Sequence, residues 1–141
     1  MKKYIFISLT VVILLTGCVK NEIDNKTQVE NQISRAAEGV INISAEEAKK
    51  IIDTEEHEIV LDVRSVEEYK EGHIEGAVLL PSDEIKEKVE NLIQDKNKTI
   101  LLYCRSGRRS AAAAKDLIDF GYTNVYDFGG IIDWKYEVVK E

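Results

Sequence analysis

Apolar residues come first in an almost unbroken run from Tyr4 to Leu15, behind Lys2 and Lys3. That run is too short to span a bilayer comfortably and suits the centre of a signal peptide. The pattern then changes to VKNEIDNKTQVENQISRAAE, polar and without sustained periodicity, which reads as a flexible tether. From Val40 it changes again, and short apolar runs alternate with stretches whose apolar positions recur at helical spacing. VINI, EIVLDV, AVLL, TILLY and NVYDF are the predicted strands. SAEE (Ser44–Glu47) and SVEE (Ser65–Glu68) are capping boxes, each opening a helix. Ala48, Ile51 and Ile52 share one face of the first helix, and Ile85, Val89, Leu92 and Ile93 form a stripe after Pro81. An alanine-rich helix is predicted from about Ser110 to Phe120, with Gly121 ending it, and GGIIDW makes a final turn and short helix. Strands alternating with amphipathic helices mean an α/β fold with a mainly parallel sheet.

A chain of 141 residues with 44% hydrophobic content supports one domain with one core. Its formal charge of −7 argues against nucleic acid as a partner, because phosphate contact needs a basic face. The division expected is a signal peptide over 1–17, a lipid-anchored tether over 18–38 and a folded domain over 39–141. Leu15, Thr16, Gly17 and Cys18 resemble the bacterial lipobox, in which the cysteine is lipidated and the segment before it removed. That resemblance implies an exported chain held to a bacterial membrane, at the cell surface or the periplasmic face, by acyl groups such as palmitate on Cys18. Two or more acyl chains hold firmly where one does not. The tether would reach on the order of 25 Å as a random coil.

Of two cysteines, Cys18 is then consumed by lipid, and Cys104 has no partner within the chain. An unpaired cysteine in an exported protein points to a reactive thiol. Two cysteines and two histidines without zinc-ligand spacing predict no metal site, and no cofactor is called for.

Cys104 opens the stretch CRSGRRS directly after the strand TILLY. In α/β sheets, ligands bind outside the carboxyl ends of the strands. The helix expected about six residues later would present unpaired N–H groups and a partial positive charge. Gly107 allows the loop amides to turn inward as an anion-holding nest. Both effects favour thiolate over thiol, at a sulfur expected to lie open at the mouth of the sheet. Lys96, Lys98, Arg105, Arg108, Arg109 and Lys115 surround it in sequence with no acidic residue among them, a positive island suited to an anionic substrate.

CRSGRRS resembles the active-site loop of rhodanese-type sulfurtransferases. LDVRSVEEYKEGHIEGAVLLP resembles their D-x-R…E-[FY]…G-H-I-x-G-A…P signature, and VYDFGGIIDW their closing G-G…W element. The resemblance covers almost all of Val40–Lys140 and implies a five-stranded parallel sheet flanked by helices. It implies that the Cys104 thiolate takes the outer sulfur of a small anionic donor such as thiosulfate and passes it to a thiophilic acceptor such as cyanide or a thiol. The amides from Arg105 through Ser106, Gly107, Arg108 and Arg109 to Ser110 would hold the persulfide, and the three arginines would attract the sulfonate. Asp62 and Arg64 match D-x-R and read as internal polar support, as does His73 of G-H-I. His57 reads as surface, and Trp134 and Tyr136 as packing residues. Some two-domain members carry a substrate-binding arginine in the helix after D-x-R. Glu67 and Glu68 stand there instead, which leaves sulfonate binding to the loop.

Two other readings compete. A cysteine phosphatase needs C-x5-R, and Arg109 completes only C-x4-R, one residue short of the cradle a phosphoryl group requires. A non-catalytic module of the same fold, for binding or sensing, would have no need of Cys104 and its arginines.

Overall fold

The computed structural model describes residues 39–54 and 58–141. The signal-peptide run, Cys18, the tether and His57 lie outside the described residues. Among the described residues there are five strands: β1 (Ile41–Asn42), β2 (Ile59–Asp62), β3 (Val78–Leu79), β4 (Thr99–Cys104) and β5 (Asn124–Gly130). The helices are α1 (Ala45–Thr54), α2 (Val66–Glu71), α3 (Ile85–Leu92) and α4 (Arg108–Asp119), with a 3-10 turn at Ile131–Asp133. The sheet order is β1-β5-β4-β2-β3, and all four pairings are parallel, as the alternating pattern predicts.

Both capping boxes form. The Glu47 amide donates to Ser44 Oγ at 3.2 Å, and Glu47 Oε2 accepts from the Ser44 amide at 2.8 Å. The Glu68 amide donates to Ser65 Oγ at 3.3 Å, and Glu68 Oε2 accepts from the Ser65 amide at 3.1 Å. Each pair satisfies donors that a helix start otherwise leaves open.

Strand alternation decides which side Cys104 serves. In β4, Ile100, Leu102 and Cys104 pack on one face with Ile85 and Val89 of α3 and Ala113, Ala114 and Leu117 of α4. Leu101 and Tyr103 pack on the other with Ala45 and Ala48 of α1, Phe128 and Trp134. Successive strand side chains point to opposite faces, so the parity of Cys104 alone sends its sulfur toward the helix that follows it. Leu117 is fully buried there, and burying a side chain of that size contributes about 1.5–3 kcal/mol.

Two boundaries beside the cysteine loop differ from the sequence reading. β4 continues through Cys104, and α4 begins at Arg108 rather than about Ser110. Gly107 supplies the sharp turn between them at φ +92°, a left-handed conformation that favours glycine. The helix N-terminus therefore comes closer to the cysteine than spacing suggested.

Candidate active site

The sulfur of Cys104 sits where β4 meets α4. The Gly107 amide donates to Sγ at 3.1 Å. Burial is the largest single influence on the thiol and pushes its pKa up. It is outweighed by the amides of Ser110 and Ser106, the Ser110 hydroxyl and the Gly107 amide, so the thiol is held below its ordinary value. The Ser110 hydroxyl has one proton and other acceptors near, the carbonyls of Gly107 at 3.0 Å and Gly129 at 3.3 Å. An ionised sulfur competes with those carbonyls for it.

The open mouth expected from sequence needs correction. Cys104 is only 1% exposed, because its side chain enters the core cluster with Leu102, Ala113 and Ala114. Arg105 and Ser106, the next two residues, are exposed. The sulfur thus lies beneath the surface, at the floor of the cup made by the amides of Ser106, Gly107 and Ser110.

Arg109 does not stand free above that cup. Its two terminal nitrogens donate to the two carboxylate oxygens of Glu68, NH1 to Oε2 at 2.7 Å and NH2 to Oε1 at 2.8 Å. The Arg109 hydrogen bonds hold the Glu68 pKa down at about 2, with burial opposing and the Ser65 amide assisting. Glu68 in turn raises the Arg109 pKa, as does the nearby Cys104 sulfur. A depressed carboxylate adds stability above its unfolded pKa of about 4.3, lost as pH falls through the folded value. The pair is therefore intact throughout the neutral range. Arg105 and Arg108 are exposed and make no ion pair among the described residues.

Asp62 and Arg64 form a buried pair at the end of β2, 0% and 5% exposed. Arg64 donates from its backbone N and from Nε and NH2 to the Asp62 carboxylate, and its NH2 also reaches the Gly72 carbonyl at 2.7 Å. Breaking such a pair by removing one member typically costs about 3–5 kcal/mol. His73 is likewise committed. Its Nδ1 lies 3.0 Å from the Tyr69 carbonyl, its ring stacks on Tyr69 at 3.6 Å, and its backbone pairs with Val139. Trp134 packs against Phe128 in the core, and Tyr136, 39% exposed, packs edge-on against Trp134 at the margin.

Two contributors escaped the sequence reading. Glu68 was legible as a helix cap, but its partner stands 41 residues away. Gly130 supports the loop from beneath: a Cβ there would stand 2.5 Å from the Arg105 carbonyl oxygen and 2.7 Å from Ser106 Cα. The adjacent glycines 129 and 130 were the available signal.

Comparison with known proteins places this geometry. The family model of the rhodanese-like domain matches residues 44–137. The chain belongs to the rhodanese-like family. It is 40% identical over 80 residues to the thiosulfate sulfurtransferase PspE of Escherichia coli (strain K12), covering 57% of this chain and 77% of that protein. Among solved structures, a rhodanese-related protein from Thermoplasma volcanium superposes with a TM-score of 0.63 at 33% identity, covering 72% of this chain and 99% of that one. A rhodanese with anions from E. coli superposes at 0.54 with 38% identity, covering 60% and 99%. In this rhodanese-like chain, the cysteine loop, the D-x-R pair and the glycine doublet all lie within the matched span.

Only the thiolate alkylates rapidly, so the rate of iodoacetamide modification against pH reads the thiol directly. Its midpoint is expected below about 8.5, the value of an unperturbed thiol. Ser110→Ala should move that midpoint up, since it removes a donor to the anion; an unmoved midpoint would deny the hydroxyl any part. Gly130→Ala should displace Arg105 and Ser106 and also raise the midpoint. Wild-type titration in that variant would show that the loop absorbs the methyl group.

Proposed function

We propose that this chain is a sulfane-sulfur transferase of the thiosulfate type, working through a persulfide on Cys104. The Cys104 thiolate attacks the outer sulfur of the donor. A new S–S bond forms, the donor's own S–S bond breaks, and sulfite leaves with the bonding pair. The acceptor, cyanide or a thiolate, then attacks the outer sulfur of the persulfide and restores the thiolate. This is covalent catalysis by an activated nucleophile. The carrying observation is the amide cradle around a thiol of lowered pKa, with Gly107 N–H at 3.1 Å from the sulfur. Donors fixed in place before the reaction stabilise the anionic persulfide without reorganising. Similarity to a thiosulfate sulfurtransferase over most of that protein's length supports the same reading.

The 1% exposure of Cys104 adds a requirement: the loop over the sulfur has to move before the donor reaches it. For placement in the cell, the lipobox-like Leu15–Cys18 and the apolar run before it support export and a lipid anchor on Cys18. A short loop, with Arg109 at C-x4-R, disfavours phosphate ester hydrolysis.

The test uses chain lacking residues 1–18, incubated with thiosulfate and cyanide while thiocyanate is followed, beside Cys104→Ala. Turnover is expected in the first protein and loss to background in the second, with the circular dichroism unchanged. Equal rates would reject the mechanism. Mass spectrometry after thiosulfate alone should find one added sulfur on Cys104, and para-nitrophenyl phosphate should remain intact.

A further inference from the structure

Arginine presents planar donors that match an oxoanion two at a time, and in Arg109 both terminal nitrogens are already engaged. The carboxylate that engages them is itself pinned, since Glu68 Oε2 also accepts from the Ser65 amide in the capping box of α2. The pair is partly covered, Arg109 at 33% and Glu68 at 25% side-chain exposure, and joins α2 to the first turn of α4 beside the Cys104 sulfur. A sulfonate seeking the same two N–H groups must displace a carboxylate fixed by its own helix.

The ground beside the loop is acidic as well. One groove, about 250 Å³, is lined by Arg109 together with Glu67, Asp83 and Glu84. Another, about 450 Å³, is lined by Arg105 together with Glu68 and Glu71. Arg64 borders both, and its guanidinium is committed to Asp62. Carboxylates thus flank the loop arginines in both grooves, and they repel a dianion more than a monoanion.

We infer that Glu68 is a specificity-determining residue, which withholds the Arg109 guanidinium from the donor and biases the site toward sulfane-sulfur donors carrying a single negative charge. This rests on the sulfur-transfer reading above. Thiosulfate and methanethiosulfonate make a matched pair of donors. In the second, attack by the Cys104 thiolate on the outer sulfur breaks the same kind of S–S bond and releases methanesulfinate in place of sulfite. The transferred atom is identical, and only the charge of the sulfonyl end differs.

The experiment compares wild type with Glu68→Gln, which keeps the size of the side chain and an acceptor for the Ser65 amide. With cyanide as acceptor, KM for thiosulfate is expected to fall about fivefold, with kcat little changed. KM for methanethiosulfonate should shift clearly less. A second arm needs no turnover: sulfite binding to Cys104→Ser protein, measured by calorimetry, should tighten by a similar factor when Glu68→Gln is added. In an Arg109→Gln background the gain should vanish, because there is no guanidinium to release. Unchanged sulfite affinity, equal shifts for the two donors, or a gain that survives without Arg109 would each overturn the inference. Were wild type to transfer no sulfur from either donor, the sulfur-transfer reading would fall, while the binding arm would still decide what Glu68 does.

Discussion

The arrangement depends on a set of peptide dipoles converging on one sulfur atom. Cys104 ends β4, Gly107 turns the chain through a left-handed conformation, and α4 starts at Arg108 with its free amides facing back. A buried thiol ordinarily resists ionisation, and burial pulls this one upward too. The amides win because they are fixed by the strand and the helix before any anion arrives, so little is lost in orienting them. Cys104 itself is 1% exposed, its side chain part of the core cluster beneath α4. The thiolate is thus stabilised at a covered position.

Much of the remaining structure serves to hold that junction. Gly130 lets β5 pass against the backbone of Arg105 and Ser106, and Ser110 reaches the Gly107 and Gly129 carbonyls from the first turn of α4. Asp62 and Arg64 brace the end of the neighbouring strand and the Gly72 carbonyl. His73 ties the segment after α2 to Val139 near the chain's end. These are buried polar groups with their partners supplied, the condition under which such groups rigidify a site. Glu68 extends the same network to Arg109, and there support becomes a matter of charge as well as shape.

The order of elements was legible along the chain because each signal was local. Capping boxes, the alternation in β4 and the helical stripe of α3 involve residues within a few positions of one another, and each formed near the place expected. The start of α4 was set two residues late because its N-cap is Gly107, and the helix begins without a side-chain cap bond to signal it. Likewise the loop arginines were read as equivalent, although one of them faces a carboxylate.

Composition and spacing alone determined an α/β chain, a solitary cysteine at the carboxyl edge of a strand, and a glycine-containing loop able to aim amides at it. Those follow from periodicity, parity and backbone freedom, all of which act over short distances in sequence. Only the tertiary structure decided that the sulfur is covered, that Arg109 is bound to Glu68, and that Gly130 must lack a side chain. The Arg109–Glu68 pair and the bare Gly130 each require two segments far apart in the chain to meet, and their meeting distance is set by how the whole sheet and its helices pack.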